Sequence, residues 1–340
     1  MEIYTIGLHT QIISDLKSHR LQVSVLYQLP DPELIRDQCL IVTSDQVPVT
    51  SLESLRERYP DAVIFYMHLH TSVRGYQHLQ CLCNVYNIHF LSPRATSSTI
   101  IDKLNIISGQ TVTKKNNIIG VFGSGTGVGV TTIGHTLARQ MSNYDKKVLF
   151  LGLNLFNPGY DYLPNISLDQ LRSKIKGRLL KPSDFDSFLK MDKYLYMPGN
   201  YDFVGASDYQ EDEIEYLLQQ ASEFADIVIA DFGAIPESAA YYVGLQQSGI
   251  RLFVSHQSHQ YVIRQIMLSL SHLDLSSSDF IMIVNRGEET SSSKRFAEEQ
   301  GMLFGHSFTH YQNFKGYGLP LGKKELQQLE KFVKGLMISV

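Results

Sequence analysis

Cysteine is scarce in this sequence: Cys39, Cys81 and Cys83 are the three among 340 residues. So few, and odd in number, they build no disulfide framework. Cys81-x-Cys83 has neither a second pair nor a nearby ligand set, so buried or idle thiols are the better reading than zinc. Long apolar runs are missing too, none approaching the roughly 20 residues of a membrane span. The N-terminus lacks the charged-then-apolar layout of a secretory signal. Together these absences point to the cytoplasm, with any membrane contact peripheral or through a partner. An excess of one charge is also lacking, because 30 Lys and Arg face 34 Asp and Glu for a net charge of −4. No global basic field therefore argues for nucleic acid. No segment repeats at solenoid period. What the chain does have is 43% hydrophobic content over 340 residues, enough for a full core, at a length that suggests two domains.

The stretch 117–141, NIIGVFGSGTGVGVTTIGHTLARQM, carries the clearest chemistry. An apolar run at 118–122 reads as a buried strand, a turn rich in glycine follows from Gly123 to Gly129, and helical spacing begins at Thr131. Strand, glycine loop and helix in this order make a phosphate-binding P-loop. Glycines let successive backbone N–H groups converge on phosphate oxygens, and the following helix adds partial positive charge from its N-terminus. Thr131 stands where a magnesium-holding hydroxyl belongs. Where the pattern requires lysine, between Gly129 and Thr131, stands Val130. The plain alternative is a glycine turn that only packs a helix on a strand.

Residues 1–110 alternate apolar runs (3–6, 21–26, 39–42, 62–67 and 88–91) with helical stretches at 11–18, 51–58, 73–86 and 97–107. Such alternation implies a parallel sheet covered on both faces, and five strands in this length suggest the flavodoxin-like order. In layout this half resembles a response-regulator receiver domain. A receiver needs acidic residues after its first strand, an aspartate ending its third and a lysine ending its fifth. Those places read Gly7-Leu8-His9, Val42-Thr43-Ser44 and Leu91-Ser92-Pro93, so the resemblance implies a pseudo-receiver that takes no phosphate and serves docking or dimerisation. His68 and His70 share a strand face, as polar strand ends rather than a metal pair. Polar residues at 108–117 predict a linker, taken as 111–117.

Over 118–340 the alternation resumes, with strands predicted at 147–153, 226–230, 252–255 and 280–284 and helices at 212–224, 260–273, 293–300 and 324–336. The fold class expected is α/β, two doubly wound parallel-sheet domains. Asp231 ends the 226–230 strand about 100 residues beyond the loop, where a carboxylate binds magnesium beside the phosphates; a turn or helix-cap role is its ordinary alternative. Asp231-Phe232-Gly233 also occurs in protein kinases, but no kinase catalytic loop accompanies it. On the last helix Leu326, Leu329, Phe332, Val333, Leu336 and Met337 share one face, which suits docking on the sheet better than lying in a membrane interface.

The loop, Asp231 and Ile283-Val284-Asn285-Arg286 resemble the MinD/ParA group of P-loop ATPases. Residues 124–133 are most similar to the CpaE/TadZ proteins of Tad (Flp) pilus assembly, which also carry a pseudo-receiver ahead of the ATPase domain. The resemblance implies ATP or ADP with Mg2+ as cofactors. Gly125, Thr126, Gly127, Val128, Gly129, Val130, Thr131 and Thr132 would line the phosphates, with Thr131 and Asp231 on the metal. Asn285 and Arg286 would lie against adenine, with 310–319 as a later loop on that side or an ordinary surface loop. Departures matter equally: Gly125 and Val130 occupy both lysine positions, and Gly152-Leu153-Asn154 stands where the group has Asp-x-Asp. Losing one electrostatic group typically costs about 10² to 10³ in rate, so the resemblance implies nucleotide binding with weak or absent hydrolysis and no catalytic residue. Implied partners are a second copy in a homodimer and pilus or secretion assembly proteins, with peripheral membrane or polar contact and no nucleic acid. The enzyme-class rival is an active MinD/ParA-type ATPase cycling on membrane or DNA. A nitrogenase-type iron–sulfur reductase would need cluster cysteines after residue 118, and there are none.

Overall fold

A computed structural model describes residues 2–69, 73–108, 117–155, 167–236, 238–270, 273, 275–287, 290–311 and 317–339. The linker expected at 111–117, apart from Asn117, and His70 lie outside the described residues. Contacts divide the chain into two units, Met1–Lys114 and Lys115–Leu270 with Leu275–Val340.

The first unit runs β1 (Ile3–Ile6), α1 (Thr10–Ser18), β2 (Val23–Leu26), α2 (Pro32–Ile35), β3 (Cys39–Thr43), α3 (Leu52–Arg58), β4 (Val63–Met67), α4 (Val73–Val85), β5 (His89–Leu91) and α5 (Ser97–Ile107). Its strands pair in the order β2-β1-β3-β4-β5, all parallel, which is the flavodoxin-like order. Because helices cover both faces, the central strand β3 is buried at every position and reads as a continuous apolar run. Two cores result, one on each face. Cys39 and Cys83 belong to them, and burial pushes both thiols up to about 12, so they stay protonated. The short α2, capped by Asp31 on the Glu33 N–H, was not legible as a helix because four residues hold no period.

The second unit runs β6 (Ile118–Gly123), α6 (Val130–Met141), β7 (Val148–Gly152), α7 (Leu168–Lys176), α8 (Pro182–Asp186), β8 (Leu189–Met191), β9 (Tyr194–Met197), α9 (Phe203–Ser207), α10 (Glu211–Phe224), β10 (Ile227–Gly233), α11 (Ala239–Gln247), β11 (Ile250–Ser255), α12 (Gln260–Leu270), β12 (Ile281–Asn285), α13 (Thr290–Glu299), β13 (Leu303–Phe308) and α14 (Lys323–Ser339). Its sheet has the order β13-β12-β11-β6-β10-β7-β9-β8. The sheet is mixed rather than wholly parallel. β8 pairs antiparallel with β9 through a two-residue turn in which Asp192 is left-handed at φ 50°. β6 lies between β10 and β11, so the glycine loop emerges at the middle of the sheet. α14 buries Leu329, Val333 and Leu336 in the same core as α6, which is the docked arrangement of its apolar face. Among the described residues no helix is long and apolar enough to cross a membrane.

Candidate functional site: a glycine loop facing a buried carboxylate

The loop's path is set by backbone that favours glycine. Gly127 and Gly129 have φ of 78° and 96°. Gly129 is the N-cap of α6, and a Cβ there would collide with the Asn285 amide. Around Gly127 a Cβ would meet nothing within 4 Å, so this part of the loop opens onto free space. That space is a cavity of about 350 Å³. It is lined by residues 125–132 of the loop and helix start, by Asn154 and Leu155 after β7, by Phe232, Gly233, Ala234, Ile235 and Ser238 after β10, and by Asn285, Arg286, Thr309, Tyr311 and Leu319.

Every loop residue named from the sequence lines this cavity, as do Asn285 and Arg286. Thr131 meets Asp231 directly: its hydroxyl donates to Asp231 Oδ2 at 2.5 Å. Asn154 Nδ2 donates to the same oxygen at 3.0 Å, and the Gly233 N–H donates to Oδ1 at 2.9 Å. Asp231 is fully buried, and burial pushes its carboxyl above the ordinary carboxylate range; the bonds from Thr131, Gly233 and Asn154 oppose that rise without cancelling it. All three donors are neutral. A buried carboxylate with neutral donors and a hydroxyl beside it is a fitting seat for a divalent cation, whose charge would offset the desolvation. The open loop of backbone amides fits a phosphate chain.

Val130 departs from the direction a phosphate-reaching side chain would take. It is 7% exposed and belongs to the hydrophobic core, with Cγ2 packed towards Gly123. Asn285 has work inside the protein: its Nδ2 donates to the Val128 carbonyl at 2.8 Å and its Oδ1 accepts from the Arg286 N–H at 3.0 Å. It thereby anchors the loop from β12. Arg286 is left-handed at φ 56° and exposed at the cavity edge. Of 310–319, residues 312–316 lie outside those described; Leu319 lines the cavity and its N–H donates to Thr136 Oγ1 at 2.9 Å. The backbone N–H of His68, just after β4, donates to the Leu91 carbonyl at 3.2 Å.

Asn154, which the sequence places where the group has an aspartate, is a carboxamide that donates to Asp231, a contact that needs the pairing of β7 with β10. Sequence reading missed two participants. Ser255 and His259 bond Ser124 from the end of β11, 131 and 135 residues away along the chain. No motif links those positions, because they meet only through the pairing of β11 with β6.

No family model matches the sequence, and no curated protein does. Solved structures do. A ParA family ATPase from Chlorobium tepidum TLS is similar over 66% of this chain and 100% of its own, at 15% identity and a TM-score of 0.51. The cell division ATPase MinD of Pyrococcus furiosus matches 65% of this chain and 99% of its own, at 15% and 0.51. Cobyrinic acid a,c-diamide synthase from Mycobacterium smegmatis, solved with an ATP analogue and magnesium, matches 65% and 94%, at 15% and 0.51. At such identities the likeness is one of fold. Over about two thirds of its length this chain has the fold of the ParA and MinD P-loop ATPases.

Proposed function

We propose that this chain is a nucleotide-binding scaffold, a pseudo-ATPase that binds ATP or ADP with magnesium and hydrolyses it slowly or not at all. One observation carries the reading. The cavity keeps the loop amides and Thr131, whose hydroxyl bonds the fully buried Asp231, while positions 125 and 130 carry no cation and position 154 carries an amide instead of a carboxylate. Bound magnesium would supply the charge that bridges phosphate oxygens. The chain's own contributions are distinct. Thr131 and Asp231 hold the metal, N–H groups of 127–130 hold phosphate, and Asn285 keeps the loop in shape. Several missing electrostatic groups, each worth about 10² to 10³ in rate, leave little catalysis.

Within that reading the chain serves as a homodimeric assembly or localisation factor of the CpaE/TadZ kind, marking where a Tad (Flp) pilus or related secretion machine is built. The first unit acts as a receiver-like docking domain for a pilus, polar or membrane-peripheral partner. Its strand order and the chemistry at the strand ends support this. His9 caps α1 by accepting from the Gln11 N–H, and Ser44 accepts from the Leu69 N–H, so these positions hold backbone rather than a phosphoryl group.

Calorimetric titration with ATP, ADP and magnesium, beside a phosphate-release assay on the same sample, tests the nucleotide reading. Binding that weakens in Asp231→Ala with negligible release is expected. Absence of binding would sink the proposal, and release at ordinary ATPase turnover would replace it with an active enzyme.

A further inference from the structure

Helix α6 begins under the glycine loop and continues past it. Thr132 lines the cavity, and Thr136, four residues on, shares its face of the helix. Thr136 is 4% exposed and lies behind the cavity lining. Its hydroxyl is used twice. It donates to the Thr132 carbonyl at 2.7 Å and accepts from the Leu319 N–H at 2.9 Å, a buried bond across 183 residues.

The segment held in this way is 317–321. Gly318 passes close over α6, where a Cβ would lie 3.4 Å from the Thr136 nitrogen and 3.5 Å from the Arg139 guanidinium carbon. The Tyr317 ring stands edge-on to His135 with centroids 4.9 Å apart, and the Leu321 N–H donates to the Leu319 carbonyl at 3.0 Å. Leu319 belongs both to the core around α6 and to the cavity wall. Two kinds of surface therefore line the cavity. Residues 125–132 offer backbone amides, hydroxyls and a helix N-terminus, which suit phosphate. Tyr311 and Leu319 offer apolar surface, which suits the nucleoside.

We infer that Thr136 is a positioning residue for the ligand: by pinning the Leu319 amide to α6, it sets the spacing between the apolar wall and the loop that holds the phosphates. The inference deepens the nucleotide reading and rests on it. One helix carries both fixtures, and Thr136 follows Val130 by about 9 Å at 1.5 Å per residue. Removing the hydroxyl leaves the Leu319 N–H buried without an acceptor. The segment must then lift towards water, and the wall goes with it.

The test compares the full chain with Thr136→Val, which keeps the branched shape without the hydroxyl, and Thr136→Ser, which keeps the hydroxyl. Calorimetry gives the Kd for ADP with magnesium, amide hydrogen exchange reads 317–321 and 124–132, and thermal unfolding reports folding. Thr136→Val should bind ADP about tenfold more weakly and exchange faster at 317–321, with exchange at 124–132 unchanged. Thr136→Ser should match the unsubstituted chain in both readouts. Unchanged ADP affinity in Thr136→Val overturns the inference. So does weaker binding with unchanged exchange at 317–321, because the effect would then run through the loop. Should Thr136→Val fail to fold, Leu319→Ala takes its place, keeping the tether and truncating the wall: a similar loss supports the inference and an unchanged Kd overturns it. If the unsubstituted chain does not bind ADP, the nucleotide reading falls and takes this with it.

Discussion

Three neutral donors hold the Asp231 carboxyl, and burial raises its proton affinity in spite of them. A carboxyl raised in the fold contributes stability that is lost as pH rises through its folded value, so above the ordinary carboxylate range the group is a cost to folding. Asp231→Asn removes the ionisable group at constant volume. Thr131 can turn its hydroxyl to accept and Asn154 can turn its amide to offer Oδ1, so both contacts survive. The melting temperature of the nucleotide-free protein should rise, while the gain in ADP affinity on adding magnesium should vanish. A thermal scan and two titrations, with and without magnesium, check both halves. Of the residues here, Thr131 and Asp231 were legible because a hydroxyl after glycines and an acid after an apolar strand have fixed offsets from their elements. The inward turn of Val130 was not, since spacing gives a residue's position along a helix and leaves its surroundings open. Asn285 was legible as part of the site, but its bond to Val128 needs the distance between β12 and the loop.

At the scale of elements, α6 carries a glycine in its second turn, and that glycine is the contact with β7. A Cβ at Gly134 would lie 2.6 and 2.7 Å from two ring carbons of Phe150. Phe150 has no room to retreat: it is fully buried, stacked on Tyr196 at 5.3 Å and edge-on to His135 at 4.5 Å. Gly134→Ala would gain about 1 kcal/mol of helix propensity. Overpacking a fixed ring costs about 1 to 3 kcal/mol. The clash wins, so Gly134→Ala should lower stability by roughly 1 kcal/mol or more in denaturant unfolding. A stability gain would mean that α6 can slide away from β7 at little cost. β3 was readable from sequence to within a residue of its ends and α6 to within a residue of its start, while β10 runs three residues past the predicted 230, to Gly233. The hairpin of β8 and β9 was not, because three- and four-residue strands interrupted by Lys190 and Asp192 have no period to read.

For the whole molecule, acid is a stress that the buried histidines make costly. Burial lowers His135 to about 3 and His306 to about 4, and it also lowers His89 and His256. Each is neutral in the fold and charges more readily when unfolded. Between the lowered value and the ordinary one the unfolded chain binds more protons, so stability is whole above about pH 6.5 and falls as pH drops towards 4. His135 and His306 should each account for a few kcal/mol, roughly, by about pH 4. Both belong to the second unit, and His135 is enclosed by Phe150, Tyr194, Tyr196 and Tyr317. Melting temperature against pH should therefore fall steeply below about pH 6, and His135→Gln should flatten the curve. An unchanged slope in that variant would assign the acid sensitivity elsewhere. The doubly wound architecture was the most legible property at this scale, because alternating strand and helix patterns admit few topologies. The mixed sheet edge was the exception, for the reason given above.

The bond from Asn285 to the Val128 carbonyl has a consequence for how such a loop changes over generations. Gly123, Val128, Val130 and Asn285 are buried and serve the packing of β6, α6 and β12. Selection for folding alone preserves them, and with them the shape of the cradle. Thr126 and Arg286 are exposed at its rim, where no packing restrains them. In a lineage that dropped its ligand, those two positions would drift while the loop kept its outline. Variation at 126 and 286 among orthologues is thus a clock for the use of the pocket, and variation at 123 and 285 is not.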